Sequence, residues 1–374
     1  MQKPVADNTA SHPRAPAMRE RPGGFLMSSG YQLMPLRLVS GFLIALAGAL
    51  LAVWLHMPLP WMLGALMLTA ATRIGGAGTF CPRPARNMGQ WVIGTSLGLY
   101  FTPLMVGHIG ANIGPIVVGM VFAIVLAFIG TAMLQRFARV DFKTAWFSSA
   151  IGGASEMANL AERYGARIDR VATAHSVRVL LVVVIVPFVF QWWGVAGIDP
   201  TVPGPRAVDA LGFVGLIALT SVGGFIFQRL NLPNPWVLGP MLVAMILTCS
   251  EIELSALPDA VSKAGQLFIG WSLGDRYRPD FFRAAPRYIA VVAAYTLIAL
   301  ALAFGLGNAL AYWSAAPVPT LILGTTPGGI AEMAITAKVL QLGVPVVTAF
   351  HVMRMVFVVL LTGPLYKLLA RRFA

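Results

Sequence analysis

The sequence predicts an all-α polytopic membrane protein: two inverted repeats of about five transmembrane helices, each with a Gly-Gly re-entrant hairpin or broken helix. Three observations predict it. Only 11% of the 374 residues are charged and 57% are hydrophobic, whereas a soluble domain carries roughly 25% charged residues, so most of the surface must face lipid. Four motifs occur twice in the same order, offset by 175 or 176 positions. They are Pro60–Met67 with Pro235–Leu242 (PWxLG), Gly89–Gly98 with Gly265–Gly274 (GQxxIGxSLG), Gly152–Met157 with Gly328–Met333 (GGxxEM), and His175–Arg178 with His351–Arg354 (HxxR). Duplicated halves in so apolar a chain point to an internally repeated membrane architecture. Finally, Lys and Arg gather in alternate loops, and the alternation changes phase between the halves.

Taken in order, residues 1–36 read as a disordered basic tail, rich in Pro, Ser, Arg and Ala without apolar periodicity. No short apolar run follows its first charges, as a cleavable signal would require. Residues 37–194 form the first membrane repeat, with apolar segments at roughly 38–56, 60–73, 87–103, 114–135, 144–161 and 172–193. A linker, 195–208, leads to the second repeat, 209–374, with segments at roughly 209–228, 235–250, 264–275, 287–313, 318–336 and 344–366.

Loop charge sets orientation. The tail with Arg37, the loop with Arg73, Arg83 and Arg86, and the loop with Arg136, Arg139 and Lys143 are expected in the cytoplasm; residues 104–113 carry no Lys or Arg and are expected outside. In the second half the corresponding stretch carries Arg276, Arg278, Arg283 and Arg287, so its orientation reverses. Reversal demands an odd number of crossings per half, and the fifth segment is the one that fails to cross. Gly152–Gly153 divides it into limbs of about nine residues, each near 14 Å and half of a roughly 30 Å hydrocarbon core. A full helix broken at its glycines is the alternative; it gives parallel repeats and leaves Arg163, Arg167 and Arg170 outside. The hairpin topology places both termini in the cytoplasm of a bacterial inner membrane.

The net charge of +13 follows from basic loops, so no nucleic-acid partner is expected. Cys81 and Cys249 have no neighbours at metal-ligand spacing. Of His12, His56, His108, His175 and His351, none lies within four residues of another, which disfavours a copper or iron oxygenase. No metal, cofactor or enzymatic activity is expected.

The candidate site residues are the duplicated ones. Gly152, Gly153, Gly328 and Gly329 break helices at membrane depth, which is tolerated only where protein or a watery cavity satisfies the backbone. The helix N-termini they leave suit an anion. Glu156 and Glu332 are intramembrane acids, costly and therefore candidates for binding a coupling H+ or Na+; a carboxylate suited to the helix dipole is the plainer account. His175 with Arg178 and His351 with Arg354 share a helix face at i, i+3. The arginines could clamp an anion or fix the hairpin by pairing with the glutamates, and the histidines could relay protons or simply pack. Gln90, Ser96, Gln266 and Ser272, on short Gly-rich segments, are weaker candidates for solute contact. The Pro-Trp pairs suit a first helical turn and an interface, without chemistry.

These motifs resemble those of the membrane-embedded AbrB family over about residues 38–370. That family is distinct from the small DNA-binding regulators that share its name, and its members carry labels of ammonia monooxygenase, regulator of gene expression or transporter. The architecture is also similar to that of glutamate and 2-hydroxycarboxylate symporters, whose hairpins carry GGxG; here Ser155 and Ala331 stand where the third glycine would fall, so the ligand contacts of those symporters do not carry over. With the helix N-termini, arginines and glutamates above, the reading is a secondary transporter of a small, anionic organic solute coupled to H+ or Na+, embedded in the lipid bilayer and compatible with a homodimer. A membrane-bound regulator or sensor is the alternative, with the basic tail as its output.

Overall fold

The computed structural model describes residues 34–195, 207–277 and 285–373. Among these there is no strand. The first half runs α1 Met34–Trp54, α2 Pro60–Ile74, α3 Arg83–Gly98, α4 Pro103–Ala111, α5 Ile113–Met133, α6 Phe142–Ser149, α7 Ala154–Arg163 and α8 Ile168–Trp192. The second runs α9 Ala210–Arg229, α10 Pro235–Cys249, α11 Asp259–Gly274, α12 Pro286–Leu310, α13 Val318–Thr325, α14 Ile330–Leu340 and α15 Val344–Phe373. Among the described residues six helices are long and apolar enough to cross a bilayer: α1, α5 with its continuation to Ala138, α8, α9, α12 and α15. The bent pair α3 and α4, at 84°, makes a seventh if it is one span. The chain is a multi-pass membrane protein.

Several expectations are refined. Residues 34–36, placed in the tail, are the first turn of α1, and 1–33 lie outside the described residues, as do 196–206 of the linker. The helix α4 is unanticipated, because its glycines and flanking Thr102-Pro103 read as loop. The third segment starts at Arg83, four residues early, because Pro84 lies in the first turn of α3, where a missing N–H costs nothing. Pro60 and Pro235 do the same for α2 and α10, and the residue before each, Leu59 or Asn234, takes the same left-handed conformation (φ 44°, ψ 54°).

Small residues let the helices of the inner set meet backbone to backbone. A Cβ on Gly223 of α9 would stand 2.7 Å from the Gly239 carbonyl oxygen of α10, and one on Gly98 of α3 2.5 Å from that of Met241. Gly270 and Gly274 of α11 meet Met62 and Leu66 of α2 in the same way. Numbers rise together in these last contacts, as they do from Gly94–Val237 to Gly98–Met241, so α2 runs with α11 and α3 with α10. Between α3 and α11 the sense reverses: Gly89 faces Phe268 and Ile269, whereas Gly265 faces Val92. The equivalent helices α3 and α11 therefore cross antiparallel.

The fifth segment of each half is a hairpin and not a broken span. The Arg167 N–H, just past α7, donates to Thr144 Oγ1 at the start of α6 at 3.1 Å. Thr320, at the start of α13, likewise packs against Gly343, just past α14. Each pair of limbs thus enters and leaves at one level.

Candidate functional site

The first limb of each hairpin ends in carbonyls that the helix itself cannot satisfy. The HxxR motifs satisfy them. In the first half, Arg178 Nη1 donates to Ala150 O at 3.2 Å and Nη2 to Gly152 O at 3.4 Å, while His175 Nε2 sits 3.0 Å from Phe147 O. In the second half, Arg354 Nη1 donates to Thr326 O at 2.6 Å and Nη2 to Gly328 O at 2.5 Å, with His351 Nε2 at 3.1 Å from Leu323 O. Both histidines are fully buried. A guanidinium charge at a helix C-terminus also complements its dipole. The suggested Arg–Glu pairing gives way to this arrangement, because the carbonyls offer two acceptors at the fork spacing. Among the described residues the buried Nε of each arginine has no partner.

The second limbs explain GGxxEM. Gly153 and Gly329 are N-caps with φ of −64° and −81°, so positive φ is not why glycine is needed. The reason is close approach. A Cβ at Gly153 would lie 2.8 Å from the carboxyl carbon of Glu156, and one at Gly329 3.0 Å from that of Glu332. Each Glu, at the third helical position, folds back over its own N-cap as in a capping box. Gly152 and Gly328 make room for the next motif residue, with Met157 Cε and Met333 Sδ both 2.7 Å from the Cβ each glycine lacks.

The two tips meet at one cavity of about 110 Å³. Gly152, Gly153, Gly328, Gly329 and Glu332 line it, with Arg178, Gln90 and Ser272. Arg86, Arg276 and Asn234 line it too, and the sequence does not single them out; Arg86 and Arg276 read there as loop charges. The available signal is that Arg86 lies four residues before Gln90, on one helix face. The Arg86 guanidinium lies within electrostatic reach of Glu332 and Glu156. Three arginines, two helix N-termini and amide and hydroxyl groups around one recess can hold a carboxylate or phosphate.

A family model described as "Transition state regulatory protein AbrB" matches residues 61–370. The chain belongs to the AbrB family. It is 26% identical over 354 residues to the Bacillus subtilis (strain 168) protein named "Uncharacterized protein YhjN", covering 88% of this chain and 90% of that one. It is 26% identical over 314 residues to the Escherichia coli (strain K12) protein named "Putative regulator AbrB", covering 83% and 89%.

Not every foreseen residue of this AbrB-family chain reaches the cavity. Ser155 is exposed, Glu156 is half-buried outside the lining, and His175, His351 and Arg354 are sealed in the hairpin supports. Ser96 and Gln266 lie instead in a second, smaller cavity of about 10 Å³, with Ile93, Leu97, Ser262, Ile335 and Lys338. There Lys338 Nζ donates to Ser96 Oγ at 2.7 Å and stands 5.8 Å from the Tyr100 ring. Lys338 is a further residue that sequence reasoning misses; it lies in the last turn of α14, where a basic residue reads as a complement to the helix dipole.

Proposed function

We propose that this AbrB-family protein is a secondary active transporter of a small anionic organic solute, coupled to H+ or Na+, in the bacterial inner membrane. It does so with inverted repeats and no bond chemistry. One observation carries the reading. The five α3 and α11 residues of the small cavity, Ile93, Ser96, Leu97, Ser262 and Gln266, are the repeat equivalents, 176 positions apart, of Ile269, Ser272, Leu273, Arg86 and Gln90, all of which line the larger one. The antiparallel α3–α11 crossing thus carries two versions of one chamber. One is open at about 110 Å³ and the other is shut to about 10 Å³, closed by Ile335 and Lys338 of α14.

Alternating access is then an exchange of roles between hairpins. The counterparts of Ile335 and Lys338 on α7 are Asn159 and Glu162, both exposed in this arrangement. In the exchanged arrangement α7 packs on α11. Glu162 then meets Ser272 and Arg276, the counterparts of Ser96 and Tyr100. Arg86, Arg276 and Arg178 hold the anion in the open chamber, and Glu332 takes the coupling cation.

Uptake into proteoliposomes, with binding to detergent-solubilised protein across carboxylates and phosphates at several pH values, tests this. At least one anion should bind and move, and Glu332→Gln should uncouple its movement from the ion gradient. A panel without a hit, or unchanged coupling in Glu332→Gln, would count against the proposal. The name of the Escherichia coli relative, "Putative regulator AbrB", favours a regulator as the second reading; removing residues 1–33 should then abolish the output, whereas transport should survive.

A further inference from the structure

A second basic recess lies away from the hairpin tips, where three candidate spans end together. The span Ile113–Ala138 finishes there, and Ile168–Trp192 and Pro286–Leu310 begin there. Arg139, Arg167, Arg170 and Arg287 line it, with Tyr288 as its floor, around about 290 Å³. We propose that this recess binds the headgroup phosphate of an anionic phospholipid.

Position is the first support. Apolar spans stop where hydrocarbon stops, so a recess bounded by three span ends sits at headgroup level. Charge is the second. Among the described residues that line it, four are arginines and none is acidic; Arg167 and Arg170 pair with Asp169, which lies 2.9 Å from Arg167 Nη2 and 3.9 Å from Arg170 Nε and is 63% exposed. The recess keeps an excess of positive charge that one phosphodiester would offset.

Preorganisation is the third. Span Ile113–Ala138 closes in a π-helical turn, Leu134–Ala138, and the following Arg139 takes φ 52°. That turn presents Phe137 O to Arg287 Nε at 2.6 Å. Arg170 lies over the Tyr288 ring at 5.1 Å, and the Tyr288 hydroxyl donates to Arg170 O at 2.9 Å and accepts from the Ser148 hydroxyl at 2.8 Å. Two of the four cations are therefore held in place before any anion arrives. Phe137 and Ile168, 53% and 42% exposed beside the recess, offer acyl chains an apolar path out of it. This inference is independent of the transport proposal.

The test is lipid retention by the full-length protein in detergent, read by native mass spectrometry, together with thermal shift on adding phosphatidylglycerol, phosphatidylcholine or inorganic phosphate. Phosphatidylglycerol should bind and raise the midpoint, and the other two should not. Arg139→Gln with Arg287→Gln should weaken phosphatidylglycerol binding about thirtyfold, whereas Arg163→Gln, outside the recess, should leave it unchanged. Because Arg287 also caps the π-turn, Arg139→Gln alone serves if the double variant unfolds, with about a fivefold loss expected. Equal binding of phosphatidylcholine, an equal shift with inorganic phosphate, or undiminished retention in the folded variants would each overturn the proposal.

Discussion

Ser96→Ala tests whether Lys338 holds one chamber shut. In the closed chamber the ammonium has a hydroxyl oxygen at 2.7 Å and an aromatic face at 5.8 Å. A hydrogen bond from a charged group is worth about 1.5–3 kcal/mol, and leaving such a group buried without its partner costs at least as much. Only the closed arrangement bears that loss, since exchange removes Lys338 from the chamber. Every 1.4 kcal/mol is tenfold in a two-state ratio, and the lower end of that range applies because the Tyr100 ring still faces the ammonium. An increase of about tenfold in the exchanged population is therefore expected. The assay is maleimide labelling of Gln266→Cys and, separately, Gln90→Cys, in protein whose native Cys81 and Cys249 are serines. Ser96→Ala should speed labelling at Gln266→Cys and slow it at Gln90→Cys. If neither rate changes in folded protein, the latch is refuted. If both rise together, the variant has merely loosened the crossing, and the exchange model falls.

Gly329→Ala must displace the Glu332 carboxylate, whose carbon is 3.0 Å from the new Cβ, and should cost about 1–2 kcal/mol in thermal unfolding; Gly305→Ala, with open space around it, should stabilise by up to about 1 kcal/mol. Arg354→Lys cannot bridge both Thr326 O and Gly328 O. Amide exchange across α13 should rise about tenfold or more, and unchanged protection would deny the capping role. Outside the spans, burial and then the nearby Asp275 carboxylate push the Cys81 thiol up from 9.0 to about 12. Only the thiolate reacts, so at pH 8 maleimide should modify Cys81 about a thousandfold more slowly than an unperturbed thiol. Asp275→Asn should speed it; no acceleration would mean that burial alone sets the reactivity.

Much of the architecture is legible because lipid imposes it. Apolar runs and glycine breaks locate all the helices but α4, and the duplicated motifs locate both hairpin tips. Roles are less legible than positions. HxxR reads equally as a clamp for a solute or a brace for the hairpin, because i, i+3 spacing fixes a face and not what the face meets. The structure aims both arginines at carbonyls 26 and 28 positions away, a distance that no local pattern encodes. Gln90, Ser96, Gln266 and Ser272 look like one set in sequence. The antiparallel crossing sorts them into Gln90 with Ser272 and Ser96 with Gln266. Arg86, Arg276 and Lys338 stay hidden because charges near segment ends are ordinarily loop charges.

The repeats match in their motifs but differ in charge where the solute would lie. Arg86 is matched by Ser262, Arg276 by Tyr100, and Lys338 by Glu162. Under the exchange proposal, Lys338 over Tyr100 becomes Glu162 against Arg276, an ion pair in place of a cation–aromatic contact. An anion held by Arg276 must give way before that pair forms, so the carboxylate that closes the chamber is also the competitor that expels the solute. Asn159→Cys with Ser272→Cys, the counterparts of Ile335 and Ser96 in the closed chamber, reads the closure directly while leaving Glu162 and Arg276 intact. Cross-linking should occur in the unliganded protein, and a bound anion should suppress it in proportion to occupancy. Ser96→Ala should raise it by the same tenfold as labelling of Gln266→Cys. Absence of the cross-link with short and long reagents alike, in protein that still transports, would show that α7 never reaches α11 and that access alternates by some other motion.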